Sequence, residues 1–241
     1  MSVRKALKRN HLIRNLYDRA RRSMKTATRQ AQQIQYVSTS DGISLIKNKV
    51  SGVAAFFPYP DREHFNNIQL SEKYFDNEFC VQEGDTVIDC GGFVGGFSIA
   101  AIKSGACRSI YVEPTPLTRR CAELNFLMHD CRNVSIHSCA LGEAAGKAQL
   151  NLSLSMADNS LIEPDEGATE EILEVDLKTL DQIAEIESID PDTAFVKIEA
   201  EGFEIEIVKG MKSFMPRTIV VDVTPERFGK SPREEVQAIL T

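Results

Sequence analysis

No run of about 18 apolar residues occurs in this chain, so no membrane-spanning helix is expected. Residues 1–30 also lack the continuous apolar stretch that a signal peptide requires. None of the six cysteines, Cys80, Cys90, Cys107, Cys121, Cys131 and Cys139, forms a CxxC pair, and no Cys/His cluster has zinc-like spacing. Several of them fall in expected strands and helices, where a reduced cysteine acts as a small apolar residue. A reducing, cytoplasmic compartment is therefore the expectation. The glycines Gly91, Gly92, Gly95 and Gly96 give no register of G-x-G-x-x-G, and no Gly-Lys-Ser/Thr follows them. Neither phosphate-binding loop is present at that turn.

What is present begins with a charge asymmetry. Residues 1–35 hold ten Lys or Arg and one acid, Asp18, while the whole chain of 241 residues carries a net charge of -7. The body is thus strongly acidic, which argues against a nucleic-acid-binding core. Residues 2–34 contain no Pro or Gly and repeat apolar side chains at helical steps, among them Leu7, Leu16, Ala20, Met24 and Ala27. This segment reads as a basic helix, with three uses open. It packs on the domain or a partner, it rests on an anionic membrane surface, or it is a disordered basic tail. The expected divisions are the basic segment 1–35, an extension at 36–80 packing on the core, and a main domain at 81–241.

The extension shows a hairpin around Asp41-Gly42, an apolar stretch from Gly52 to Phe57 stopped by Pro58, and a helix over 62–78. Strands then alternate with helices. Strands are expected at 85–90, 108–113, 133–138, 193–199 and 217–223, with helices at 95–104, 116–129, 203–213 and 232–240. An antiparallel excursion at 146–177, with a polar loop at 155–170, and a short helix at 179–186 interrupt the alternation. The pattern predicts an α/β fold with a mostly parallel, doubly wound sheet.

The first strand, Thr86-Val87-Ile88-Asp89-Cys90, runs through Gly91-Gly92-Phe93-Val94-Gly95-Gly96 into a helix. That is where an open α/β sheet builds a small-molecule site. The second strand ends in Glu113, placed for a ribose diol. Asp89-x-Gly91-x-x-x-Gly95 is the looser spacing used for S-adenosylmethionine, which has no phosphate to cradle and carries a carboxylate suited to a helix N-terminus. Packing alone is the other reading of such a turn.

The order of motifs resembles the FkbM-type S-adenosylmethionine-dependent methyltransferases. The likeness is carried by Asp89-Cys90-Gly91 through Gly95-Gly96-Phe97-Ser98, Tyr111-Val112-Glu113-Pro114, Leu124-Asn125, Ala140-Leu141-Gly142, Thr179-Leu180-Asp181, and Lys197-Ile198-Glu199-Ala200-Glu201-Gly202 with Lys209-Gly210. Departures are Phe93 in a loop that usually has Asn, and Glu199 where Asp is usual. The resemblance implies a Rossmann-like class I methyltransferase. The sequence ends in the helix after its fifth strand, so the terminal antiparallel strands of that class are expected to be missing.

The implied cofactor is S-adenosyl-L-methionine. Glu113, with Pro114 behind it, would hold the ribose. Asp89, Gly91, Gly92, Gly95 and Phe97 would hold the methionine part, and Ser138, Cys139 and Ala140 the adenine. Glu199 and Glu201 are the catalytic candidates, for orienting an acceptor hydroxyl and taking its proton. Glu199 binding the amides of the next helix is an equal alternative. Lys197 is expected to pair with a nearby acid, and Glu204 to cap the helix after Gly202. Asp181 reads as an N-cap partner, Asp222 as a weaker acceptor-site candidate, and His64 and His137 as structural. The spacing demands no metal. The expected reaction is O-methylation of a sugar, glycan or natural-product hydroxyl. A non-catalytic binding module is the alternative, and the glycine spacing disfavours a nicotinamide oxidoreductase.

Overall fold

The computed structural model describes residues 34–49, 52–59, 80–164 and 167–241. The helix expected over 2–34 lies outside these residues except for Ile34, and the helix expected over 62–78 lies outside them altogether. Three antiparallel strands come first: β1 (Ile34–Ser40), β2 (Ile43–Asn48) and β3 (Ala54–Pro58). Asp41 and Gly42 join the first pair with φ of 52° and 72°, the left-handed pair that suits the twist of a tight hairpin. Ile46, Ala55 and Phe57 of this sheet are buried against Val94 and Cys121.

The main domain then alternates as expected. β4 (Thr86–Cys90), α1 (Gly96–Lys103), β5 (Arg108–Val112), α2 (Pro116–Met128) and β6 (Val134–His137) follow in turn. The excursion comprises β7 (Ala140–Leu141), β8 (Gly146–Ser153) and β9 (Ala168–Lys178), which form a small mixed sheet in the order β7-β9-β8. α3 (Leu180–Ile186) leads back to β10 (Ala194–Ile198), α4 (Glu204–Lys209), β11 (Thr218–Val221) and α5 (Arg233–Leu240). The central sheet has the order β11-β10-β4-β5-β6, and all four pairings are parallel.

All five residues of β4, and all five of β10, are buried. Strands buried along their whole length, Asp89 and Lys197 included, belong to a parallel sheet covered on both faces. Alternation sorts their side chains. Ile88, Ile110, Val196 and Ile198 pack against Leu180, Ile183, Ile205 and Val236 of α3, α4 and α5. Val87 and Phe195 pack with Phe97 and Ala101 of α1, and Tyr111 packs with Ala122 and Phe126 of α2. The sheet is therefore doubly wound.

Several local signals act as the sequence suggests. Pro116 opens α2 without a side-chain cap, and Thr179 and Gln182 form a reciprocal capping box at α3. Asp181 is a correction. It sits in the first turn of α3, and its carboxylate accepts the amides of Lys212, Ser213 and Phe214 at 2.9–3.0 Å. Burial raises its proton affinity, but these amides and the Ser213 hydroxyl outweigh it, so the net direction is down. The helix expected over 203–213 is also shorter. It ends at Lys209, and Gly210 passes so close to β7's exit that a Cβ there would lie 2.3 Å from the Gly142 carbonyl oxygen.

No strand joins the central sheet after β11 among the described residues. That stretch forms an isolated antiparallel bridge, Arg227 to Lys230, and then α5. Among the described residues no helix is long and apolar enough to cross a membrane.

The backbone leaving β4 and β10 stays close just past their carboxyl ends, where the Glu199 amide donates to the Cys90 carbonyl at 3.2 Å and Gly91 meets Glu199. The φ of Gly91 is +73°, and a Cβ there would lie 1.9 Å from the Glu199 carbonyl oxygen. Gly91→Ala is expected to destabilise the fold by roughly 3 kcal/mol or more, since backbone on both sides must move. Urea unfolding of the variant beside the parent chain measures it.

Candidate active site

The sheet order reverses between β4 and β10. β5 and β6 lie to one side of β4, and β10 and β11 to the other. A crevice at the carboxyl ends of such strands is where α/β folds bind ligands. Here it is a cleft of about 480 Å³. Nine of the residues singled out in the sequence line it: Gly91, Gly92, Phe97, Glu113, Pro114, Cys139, Ala140, Glu199 and Glu201. Three do not. Asp89 is wholly buried behind the turn, Gly95 packs inward, and Ser138 is solvent-exposed.

Asp89 has a supporting place instead. Its side chain shares a face with Lys197, its direct neighbour in the β4–β10 register. The Lys197 ammonium lies 3.2 Å from Asp89 Oδ1 and 3.3 Å from Glu199 Oε2, and it donates to the Gly91 carbonyl oxygen at 2.8 Å. Ser98 of α1 donates to Asp89 Oδ2 at 2.7 Å, and Ser109 donates to Ser98 at 2.9 Å. Lys197 is 4% exposed, and a charge that deep needs such partners. The expected pairing of Lys197 with an acid is thus present, with Glu199.

Glu113 ends β5 at the rear of the cleft. Its two oxygens accept the amides of Phe93, at 3.0 Å, and Thr115, at 2.8 Å. Burial pushes its proton affinity up and these amides oppose it, leaving it raised. Phe93, the departure in the first loop, has φ of 47°, and its carbonyl accepts the Tyr111 hydroxyl.

The glycines of the turn answer to the protein itself. A Cβ on Gly92 would lie 2.3 Å from the Tyr111 ring, and one on Gly95 would lie 2.6 Å from the Phe126 ring. Packing explains both. The other cleft walls are apolar here: Cys139 and Ala140 follow β6, and burial pushes the Cys139 thiol up to about 11.

The mouth of the cleft is acidic. Glu199, Glu201, Glu226 and Asp158 line it together. Glu201 has φ of 49°, and its proton affinity is pushed up to about 9 by burial, then by Glu226, Glu199 and Asp158. Glu226 is pushed up to about 7, chiefly by burial. Glu204 is the helix acid. It is 1% exposed and accepts the amides of Ala200, at 2.8 Å, and Gly202, at 3.2 Å. These amides lie ahead of α4, which has Phe203 at its N-cap and no side-chain cap, so the capping role expected of Glu204 is not the one it has. No group of three or more His, Cys, Asp or Glu among the described residues could hold a metal ion.

Sequence reasoning did not reach part of this wall. Met156, Ala157, Asp158, Asn159 and Leu161 come from the turn between β8 and β9, and Glu226 comes from the segment after β11. The Ser160 hydroxyl donates to the Glu201 carbonyl at 2.6 Å, and the Asn159 amide donates to the Thr115 hydroxyl at 3.3 Å. These bonds fold the excursion over the cleft. Only a polar stretch between two strands marked it in the sequence. Asp222 accepts the Thr224 amide at 2.9 Å and does not line the cleft. His137 pairs with Glu187 at 2.7 Å, as a structural histidine does, and His64 lies outside the described residues.

The Methyltransferase FkbM domain matches residues 89–240. Among solved structures, the chain is similar to methyltransferase FkbM from Methylobacillus flagellatus KT, at 16% identity and a TM-score of 0.46, over 91% of this chain and 52% of that one. It thus spans about half the length of that protein. A precorrin-6y methyltransferase from Geobacter metallireducens GS-15 gives 14% identity and a TM-score of 0.41, over 71% of this chain and 69% of that one. M. jannaschii TYW2 in complex with AdoMet gives 16% identity and a TM-score of 0.33, over 42% of this chain and 45% of that one. No curated protein matches the chain. The family match covers more than half of the sequence, and the chain belongs to the FkbM methyltransferase family.

Proposed function

We propose that this chain transfers a methyl group from S-adenosyl-L-methionine to a hydroxyl oxygen of a sugar, glycan or natural-product acceptor. The observation that carries the donor assignment is Glu113. It is a nearly buried carboxylate at the carboxyl end of β5, and it faces the cleft while two backbone amides fix its orientation. A carboxylate has about four acceptor sites, and a ribose diol would take those that the Thr115 and Thr118 hydroxyls now share. The first turn of α1, with Gly96 and Phe97 on the cleft wall, suits the methionine carboxylate. Cys139, Ala140 and Leu141 offer an apolar surface to a purine. The residues present therefore fit this donor.

When bound, S-adenosylmethionine supplies an electrophilic methyl group on a positively charged sulfur. The chain's own residues then have three tasks. Lys197 holds the Glu199 carboxylate at the cleft by its ion pair. Glu199 orients the acceptor hydroxyl and receives its proton as the new carbon–oxygen bond forms. Glu201 stays protonated near neutral pH in the free cleft. In this reading the extension 36–80 packs on the main domain 81–241, supported by the burial of Phe57 and Ile46 against Val94 of the glycine turn.

Calorimetric titration with S-adenosylmethionine tests the donor assignment. Glu113→Gln is expected to weaken binding roughly 100-fold, the equivalent of about 3 kcal/mol for charge-assisted bonds to two hydroxyls. Equal affinity in both chains would sink it. If the donor binds but no hydroxyl acceptor in a broad panel gains a methyl group, the chain is a binding module instead.

Glu201 gives a second expected outcome. The native state binds its proton more tightly than the unfolded chain, with the affinity shifted from 4.5 to about 9. Its contribution to stability is therefore full below 4.5 and is lost as pH rises towards about 9. Glu201→Gln cannot lose that proton. Its melting temperature relative to the parent should rise steadily between pH 5 and pH 9, which thermal melts across that range check.

A further inference from the structure

The side chain of Asn125 is wholly buried in the middle of α2, and it makes three hydrogen bonds to two separate backbone segments. Its Oδ1 accepts the Phe56 amide at 2.7 Å, and its Nδ2 donates to the Phe56 carbonyl at 2.9 Å. The second Nδ2 hydrogen goes to the Val94 carbonyl at 2.9 Å.

The first two bonds are those that a neighbouring strand would make. β3 is an edge of its sheet, with β2 on one side only. On the other side α2 takes the strand's place. Asn125 meets Phe56, and one helical turn later His129 Nε2 meets the Ala54 carbonyl at 3.1 Å. Residues four apart on a helix share a face, as do residues two apart on a strand. The third bond reaches the turn that carries Gly91, Gly92 and Phe93 along the cleft. Val94 follows Phe93, whose amide holds Glu113 and whose carbonyl holds Tyr111. One side-chain amide thus fixes the glycine turn and the edge of the N-terminal sheet to the same point on α2.

We propose that Asn125 is a positioning residue for the methyl-donor site, and that through it the β1–β3 sheet sets the geometry of the glycine turn. The proposal rests on the reading of this cleft as the donor site. β3 itself does not line the cleft, so any effect of donor binding on it must pass through α2 or the turn.

Two variants separate the bonds. Asn125→Asp keeps an acceptor for the Phe56 amide, but loses both donors and sets an anion against two carbonyl oxygens. Asn125→Leu loses all three bonds. Ile183→Val, on the buried face of α3, loosens the fold without touching the turn. The probe is S-adenosylhomocysteine in calorimetry, with each chain first shown folded at the assay temperature by circular dichroism. Both Asn125 variants should bind at least about tenfold more weakly than the parent, and Ile183→Val should bind as the parent does. Folded Asn125 variants with parental affinity would overturn the proposal. So would a matching loss in Ile183→Val.

Hydrogen exchange on the unaltered chain gives a test that does not depend on a variant folding. Saturating S-adenosylhomocysteine should slow exchange of the Phe56 amide together with the turn amides, although Phe56 lies off the cleft. Unchanged exchange at Phe56 beside slowed exchange in the turn would overturn the coupling alone. A parent chain that binds no S-adenosylhomocysteine would overturn the donor-site reading and this proposal with it.

Discussion

A buried ammonium at the carboxyl ends of β4 and β10 sets much of the geometry of this molecule. Lys197 cannot reach bulk water, so its three hydrogens must find oxygen within the fold. It has Asp89 beside it in the register and Glu199 two residues on, both at ion-pair distance, and it donates to the carbonyls of Gly91 and Cys90 across the strand pair. Each contact fixes something different. The first secures the side-by-side alignment of the two strands. The second holds an acid at the mouth of the cleft, and the third sets the start of the glycine turn. Loss of either acid would leave a desolvated charge, which typically costs about 3–5 kcal/mol. Strand alignment and site geometry therefore have one shared cause.

With the turn held from within, its glycines have little to do with a ligand's bulk. Gly91 gives room to the Glu199 carbonyl, Gly92 to Tyr111 and Gly95 to Phe126. The proposed donor site then rests on a few polar groups on apolar walls, with Glu113 foremost. That division suits a ligand with one diol, one carboxylate and no phosphate. A phosphate-binding loop needs its glycines to bring backbone amides up to the ligand. Here they bring strands, rings and helices up to one another.

The sheet could be read from the chain because β4 and β10 are short, mostly apolar strands with one charged residue each, and because Pro116, the Thr179–Gln182 box and Asp41-Gly42 are local signals with local effects. Glu113, Glu199 and Glu201 were legible for a related reason. Each ends a strand or follows one directly, so the sheet order brings it to the crevice. Asp89 was misread as a wall residue because strand position gives the end of the sheet but not the face. It lies within β4, on the α1 side, where Ser98 and Lys197 enclose it. Asp158 and Glu226 were out of reach altogether. They arrive from the β8–β9 turn and from the segment after β11, and what brings them in is bonding between distant parts, such as Ser160 to Glu201 and Arg227 to the Gly202 carbonyl at 2.9 Å. No spacing in the sequence encodes those encounters.

The mouth of the cleft carries two kinds of cost at one residue. Glu201 takes a left-handed backbone conformation, which disfavours a side chain with a Cβ, and its carboxyl feels four other acids. A glycine there would relieve the first cost, and an amide would relieve the second. The surrounding structure instead braces the residue as it is. Ser160 binds its carbonyl, Gly202 takes the next left-handed position, and Arg227 grips both the Gly202 carbonyl and Glu206. A cation entering the cleft changes this balance. A positive sulfur near the mouth would offset the repulsion among Glu199, Glu201, Asp158 and Glu226, and would lower the tendency of Glu201 to keep its proton. The same acids that weaken the empty fold would thus favour a positively charged donor over its neutral product.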